Sequence, residues 1–181
     1  KFPGAQGAFV GKMESHCSPC VPRPYDAAAT GAGGAMRDVV AMGARPLFLM
    51  NFIGTRPLED KVLVGPCGFT GKCTCGECVE MTSGERVNLM VKGLRDMCRA
   101  MDVFIVGGGF STSFSDIVPA TVVAVFGKLV TTKPLTKPAK SAGDQIILIG
   151  KTGSDGNDTL YRAGLVGEMK PARARFKVER A

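Results

Sequence analysis

The chain has 181 residues, 45% hydrophobic and 22% charged, with a formal net charge of +7. That balance excludes a disordered polyelectrolyte and predicts one full core, with at most a small or incomplete second domain. No apolar run reaches the length of a membrane span, and the first residues lack the charged-then-apolar layout of a signal peptide, so a soluble, intracellular protein of the cytoplasm or an organelle is expected, with no membrane partner. The positive excess favours anionic partners, nucleotides and phosphorylated metabolites among them. Nucleic acid is less favoured, because without tryptophan and with two tyrosines the chain offers few stacking platforms. A start at Lys1 instead of methionine reads as a processed product, a fragment or a partial chain.

In chain order, residues 8–14 alternate well enough to predict a strand that delivers Glu14 and His16 to its C-terminal end. Residues 15–24 hold three prolines and two cysteines and read as a loop. From Tyr25 to Pro46 a glycine-rich turn leads into an amphipathic helix, with Asp26 and Thr30 as candidate N-caps and Met36, Val39, Val40 and Gly43 toward the core. Residues 46–54 form an apolar run expected to be buried on both faces. Residues 55–83 are irregular. A second helix follows, with Ser83 as cap, Val87, Met90, Val91, Leu94, Met97, Cys98 and Met101 on one face, and Arg86 among the surface charges. Residues 103–106 predict a short buried strand ending at Gly107, and residues 120–130 a longer one. Residues 131–143 read as a linker, 145–150 as a new strand and 152–156 as a turn.

Two groups of residues carry chemistry. Gly31, Gly33 and Gly34 at a helix start would leave N–H groups bare for phosphate, with Asp38 one turn on to hold magnesium; the plainer reading is helix packing glycines and a solvated carboxylate. The second group is the cysteines. Cys98 lies on the apolar face of its helix. Cys17 and Cys20 have the spacing of two thiolates on one metal, Cys75 and Cys78 repeat it, and Cys67 and Cys73 stand close by as reserve ligands. A zinc site on Cys17, Cys20, Cys75 and Cys78, or a cluster, stands against scattered reduced thiols.

The segments Glu14-Ser-His16 and Pro24-Tyr-Asp-Ala-Ala-Ala-Thr-Gly-Ala-Gly-Gly-Ala-Met-Arg-Asp-Val-Val-Ala-Met-Gly-Ala-Arg-Pro46 resemble the nucleotide-binding segment of phosphoribosylformylglycinamidine synthases, within the aminoimidazole ribonucleotide synthetase superfamily. The resemblance implies an α+β fold, a mixed sheet with both helices on one face. It implies three parts: a nucleotide-binding domain over 1–131, a linker over 132–143, and the beginning of an incomplete second domain with a basic tail over 144–181. It further implies ATP and magnesium, with Thr30, Gly31, Gly33, Gly34 and Arg37 at the nucleotide, Asp38 and Glu14 at magnesium, and His16 in catalysis. The chemistry implied is amidine-forming carbon–nitrogen ligation in purine biosynthesis.

Three departures weaken the charge of that site. The loop reads Ser15-His-Cys-Ser-Pro-Cys20, where the family has Ser-His-Asn-His-Pro-Ser. Gly108-Gly-Phe110 stands for Gly-Gly-Glu, and Thr152-Gly-Ser-Asp-Gly156 lacks the family's arginine. The alternative is therefore a structural or interaction subunit that keeps the fold without turnover. In either case a four-stranded sheet covered on one side needs a homodimer or a companion chain on the other.

Overall fold

The computed structural model describes residues 7–113, 118–136, 141–145 and 147. Its elements run β1 (Phe9–Ser15), a short 3-10 turn (Ser18–Cys20), α1 (Pro24–Ala41), β2 (Ala44–Gly54), β3 (Lys61–Val64), β4 (Val79–Thr82), α2 (Ser83–Ala100), β5 (Phe104–Ser111) and β6 (Ala120–Leu129). Four strands form one sheet in the order β1-β6-β2-β5, and β3 and β4 pair in a separate hairpin. The β2–β5 pair is parallel and the other pairs antiparallel. Parallel strands need a crossover connection, and α2 supplies it. The sheet is mixed and both helices lie on one side of it, as the α+β expectation required.

Alternation along the strands divides the two faces. On β6, Thr121, Val123 and Val125 are buried under α1, and Leu49 and Ile53 of β2 join them. The opposite row is apolar but uncovered: Phe48 stacks on Phe126 at 5.1 Å, while Met13 and Phe104 are each 71% exposed. Residues 46–54 are therefore buried on one face only. Strand β5 corrects a second expectation, since Phe104, Ile105, Val106 and Phe110 are all exposed. It is an edge strand; α1 covers β1, β6 and β2, and α2 packs chiefly on α1.

Helix α2 buries Val87, Met90, Leu94, Met97 and Cys98 as its periodicity predicts, but Val91 is exposed. Its cap is Thr82, not Ser83. The Thr82 hydroxyl accepts from the Glu85 N–H at 3.1 Å, and the Glu85 carboxylate accepts from the Thr82 N–H at 2.7 Å, a reciprocal capping box. Thr82→Ala should lower stability by about 1 kcal/mol, read as a shift in the urea midpoint without a change in slope. Ser83 is buried instead, 2.6 Å from the Thr55 hydroxyl. Arg86, expected at the surface, is wholly buried, its guanidinium donating to Thr55 at 3.5 Å. Desolvation lowers its pKa.

Among the described residues no helix is long and apolar enough to cross a membrane. The strand expected over 145–150 falls largely outside the described residues, and the turn over 152–156 lies entirely outside them.

Candidate nucleotide site

The segment predicted as a glycine turn is helical. Helix α1 starts at Pro24, so Gly31, Gly33 and Gly34 sit mid-helix, and neither Asp26 nor Thr30 caps it. The reason is local. Proline is favoured in the first turn, Ala27, Ala28 and Ala29 are the best helix formers, and Asp26 near the N-terminus suits the helix dipole while pairing with Arg23 at 3.0 Å. The helix is thus established before the glycines and runs through them. The N–H groups of the glycines are not those of a bare helix start, and Thr30 is buried inside the helix.

Close approach accounts for one of the glycines. A Cβ on Gly31 would stand 2.8 Å from the Cβ of His16, so the loop after β1 rests directly on α1. Gly31→Ala would gain about 1 kcal/mol of helix propensity but must displace the His16 side chain at its Cβ, an overpacking cost of about 1–3 kcal/mol. Net destabilisation in urea titration is expected, together with a shifted His16 ring resonance.

The charged residues then meet along one seam. Lys12 and Glu14 alternate on β1 with exposed Met13 and turn toward α1. Lys12 Nζ lies 2.7 Å from Asp38 Oδ2. A Cβ on Gly34 would lie 3.6 Å from both the Glu14 carboxylate and an Arg37 Nη. Bonding to Asp38, and its charge, raise the Lys12 pKa. Glu14 and Arg37 therefore flank Gly34, and Asp38 pairs with Lys12 two residues before Glu14 on the same strand. Lys12 is the residue the sequence reading missed, although its i, i+2 relation to Glu14 places both on one strand face. Two carboxylates are hard oxygen donors that fit magnesium, with Lys12 as a competing cation on one of them.

Beside this seam an open depression of about 380 Å³ is lined by residues 14–19, among them Glu14, His16 and Ser18. Its floor is tied to β6 through Thr121. The His16 N–H donates to the Thr121 carbonyl at 2.9 Å, the Thr121 N–H donates to Cys17 Sγ at 3.3 Å, and Cys20 Sγ lies 3.4 Å from the Thr121 hydroxyl. Cys20 Sγ also donates to the His16 carbonyl at 3.1 Å. These thiols anchor the loop. Burial pushes the Cys20 thiol up to about 11, which opposes thiolate formation.

The four-cysteine set therefore differs from the predicted one. Cys75 and Cys78 gather with Cys67 and Cys73, the four sulfurs lying within 4.8 Å of one another, and Cys17 and Cys20 are not among them. The spacing that suggested a ligand pair at Cys17 and Cys20 is used by the 3-10 turn between them. Hydrogen bonds from the Thr74 main chain and hydroxyl bring the Cys67 thiol down to about 6. Cys98 is buried in the core as expected, its thiol pushed up to about 11.

Residues 2–129 match the family described as AIR synthase related protein, N-terminal domain. The chain belongs to this family. Phosphoribosylformylglycinamidine synthase subunit PurL of Methanocaldococcus jannaschii is 35% identical over 150 residues, covering 80% of this chain and 18% of that protein. The PurL subunit of Caulobacter vibrioides is 45% identical over 78 residues, covering 39% and 10%. The chain thus spans less than a fifth of the length of these relatives. Hydrogenase maturation protein HypE in complex with ATP has a similar fold, with a TM-score of 0.52 and 16% identity over 73% of this chain and 33% of that one.

Proposed function

We propose that this domain binds ATP with magnesium and contributes to an ATP-dependent, amidine-forming carbon–nitrogen ligase of purine biosynthesis that acts on a phosphorylated small molecule. The observation that carries the reading is the seam in which Lys12 of β1 pairs with Asp38 of α1 and Glu14 lies against Gly34, beside the His16 loop, in a member of the AIR synthase related family. Such chemistry asks little covalent work of the protein. It needs phosphates neutralised, a metal held and two reactants positioned. Lys12 and Arg37 are the cations for the phosphates, replacing the bare N–H groups of a turn. Glu14 and Asp38 are the oxygen donors for magnesium, and His16 faces the substrate side. The chemistry magnesium supplies when bound is charge neutralisation at the transferring phosphate.

Isothermal titration with ATP, with and without magnesium, tests the reading. Magnesium-dependent binding is expected; no binding with magnesium present sinks it. Ser18 and Phe110, where the family has a histidine and a glutamate, favour a second reading, a subunit that binds nucleotide without turnover. That reading predicts saturable ATP binding with no ADP or phosphate released.

A companion sheet belongs to the same proposal, because the open face exposes Phe9, Met13, Met50 and Phe104. Sedimentation should give a dimer, or a complex with a companion chain. Phe104→Arg should convert the dimer to monomer without loss of helical signal. A wild-type chain that stays monomeric and binds no apolar-surface dye would remove this part.

A further inference from the structure

Among the described residues, four metal-ligating side chains gather where β3 and β4 part. Residues 65–78 leave the hairpin after the Val64–Val79 pair and return to it. The excursion has almost no core of its own: residues 69–77 are all exposed, Phe69 included. Four cysteines nevertheless converge there. Cys67 Sγ lies 3.4 Å from Cys75 Sγ, which lies 3.7 Å from Cys78 Sγ, and all four sulfurs fall within 4.8 Å of one another. A tetrahedral ion with metal–sulfur bonds of about 2.3 Å separates its ligands by roughly 3.8 Å. The observed spacing fits one ion. A multi-iron cluster would hold the thiolates further apart.

We propose that Cys67, Cys73, Cys75 and Cys78 together bind one tetrahedral thiophilic divalent ion, zinc being the natural occupant, and that this ion fixes the 65–78 loop to the end of the β3–β4 hairpin. This site is separate from the nucleotide seam and does not depend on its assignment.

The main chain around the sulfurs provides a second, independent observation. The Cys67 N–H donates to Cys78 Sγ at 3.3 Å, the Thr74 N–H to Cys67 Sγ at 3.5 Å and the Glu77 N–H to Cys75 Sγ at 3.4 Å. Donors of this kind orient metal-bound thiolates and spread their charge. The backbone is shaped to match. Gly65 has φ +140°, and a Cβ there would stand 2.9 Å from both Cα and Sγ of Cys78; Gly71 and Gly76 turn through φ +67° and +77°. Softness selects the ion: four sulfur ligands in tetrahedral array suit zinc or iron and reject magnesium. An irregular loop with so little apolar burial then draws its order from metal-binding energy, which is available as folding energy. Since β4 runs directly into α2, the loop's order carries into the start of that helix.

The test uses the full 181-residue chain, purified reduced and without chelator. Elemental analysis should find one zinc per chain. Cobalt added to the metal-free chain should give the visible bands of a tetrahedral tetrathiolate complex, and zinc should bleach them. Cys73→Ser and Cys75→Ser should each weaken cobalt binding at least tenfold, whereas Cys17→Ser and Cys20→Ser should leave it unchanged. Chelator should speed proteolysis within 65–78. Substoichiometric metal with no cobalt bands in the reduced wild-type chain overturns the proposal, as do bands that survive Cys75→Ser or vanish with Cys17→Ser. The wild-type cobalt titration decides even if a cysteine variant fails to fold. Two disulfides in a chain kept under reductant would likewise overturn it.

Discussion

Gly93→Ala is expected to cost about 3 kcal/mol or more of folding free energy. Gly93 is buried on α2 where it crosses α1. A Cβ there would collide with the Tyr25 carbonyl oxygen and stand 3.0 Å from the Tyr25 carbonyl carbon and 3.1 Å from the Ala29 nitrogen. All three are main-chain atoms of α1 and cannot rotate away. Alanine would gain about 1 kcal/mol of helix propensity, too little to offset the collision. Relief requires the helices to separate, and separation loosens a layer that includes Ala28, Ala32, Met90, Leu94 and Met97. It also strains the bond from the Tyr25 hydroxyl to Asp96 at 3.1 Å. Urea unfolding of Gly93→Ala beside the exposed control Asn88→Ala measures this. A loss below about 1 kcal/mol relative to the control would mean that the helices tolerate a wider crossing.

How much of this was legible depended on the length and isolation of each pattern. Helix α2 and strands β1 and β6 have long, clean periods, and each was found within a few residues of its true limits. Hairpin β3–β4 was not, because each strand is four residues long and stands beside glycines and cysteines that read as loop. The start of α1 was misjudged because glycines weigh toward turns, whereas Pro24 and the alanines after it begin a helix that tolerates them. Burial of β5 could not be read from its own residues. An apolar run tells what a strand would bury, and the neighbouring elements decide whether it does.

The site divides the same way. Glu14, His16 and Arg37 were nameable as site candidates only through the family resemblance, and Asp38 also through its place one helical turn beyond the glycines. Lys12 and Thr121 were not, since each acts through a partner distant in the chain: Asp38 for one, the His16–Cys20 loop for the other. Spacing misled for the cysteines. A two-residue gap is shared by metal ligands and by a single 3-10 turn, and Cys17 and Cys20 take the second role. The gaps from Cys67 to Cys78 follow no regular repeat, yet the loop folds them onto one point.

Asp38→Asn should abolish most of the magnesium dependence of ATP binding, a loss of at least tenfold in affinity, or about 1.4 kcal/mol. The fold should survive. The Lys12–Asp38 pair is more than a third exposed on both sides, and ion pairs at such exposure contribute little to stability. On the proposed reading its effect on binding is larger, because Lys12 and magnesium would compete for the same carboxylate. Lys12→Met should therefore strengthen magnesium dependence where Asp38→Asn removes it, and these opposite signs separate ligation from simple loss of charge. Raising the pH cannot substitute for Lys12→Met. The folded pKa of Lys12 is raised, so its ammonium stays charged from neutral pH up to the ordinary lysine value, and on the alkaline side the pair is lost only as pH climbs through the higher folded value. Across the neutral range Lys12 stays protonated, and magnesium bound at Asp38 would have to displace it. Titrations at fixed ATP and varied magnesium, on the wild type and both variants, read the result directly. Equal magnesium dependence in wild type and Asp38→Asn would leave Asp38 as the partner of Lys12 alone and return the metal to Glu14.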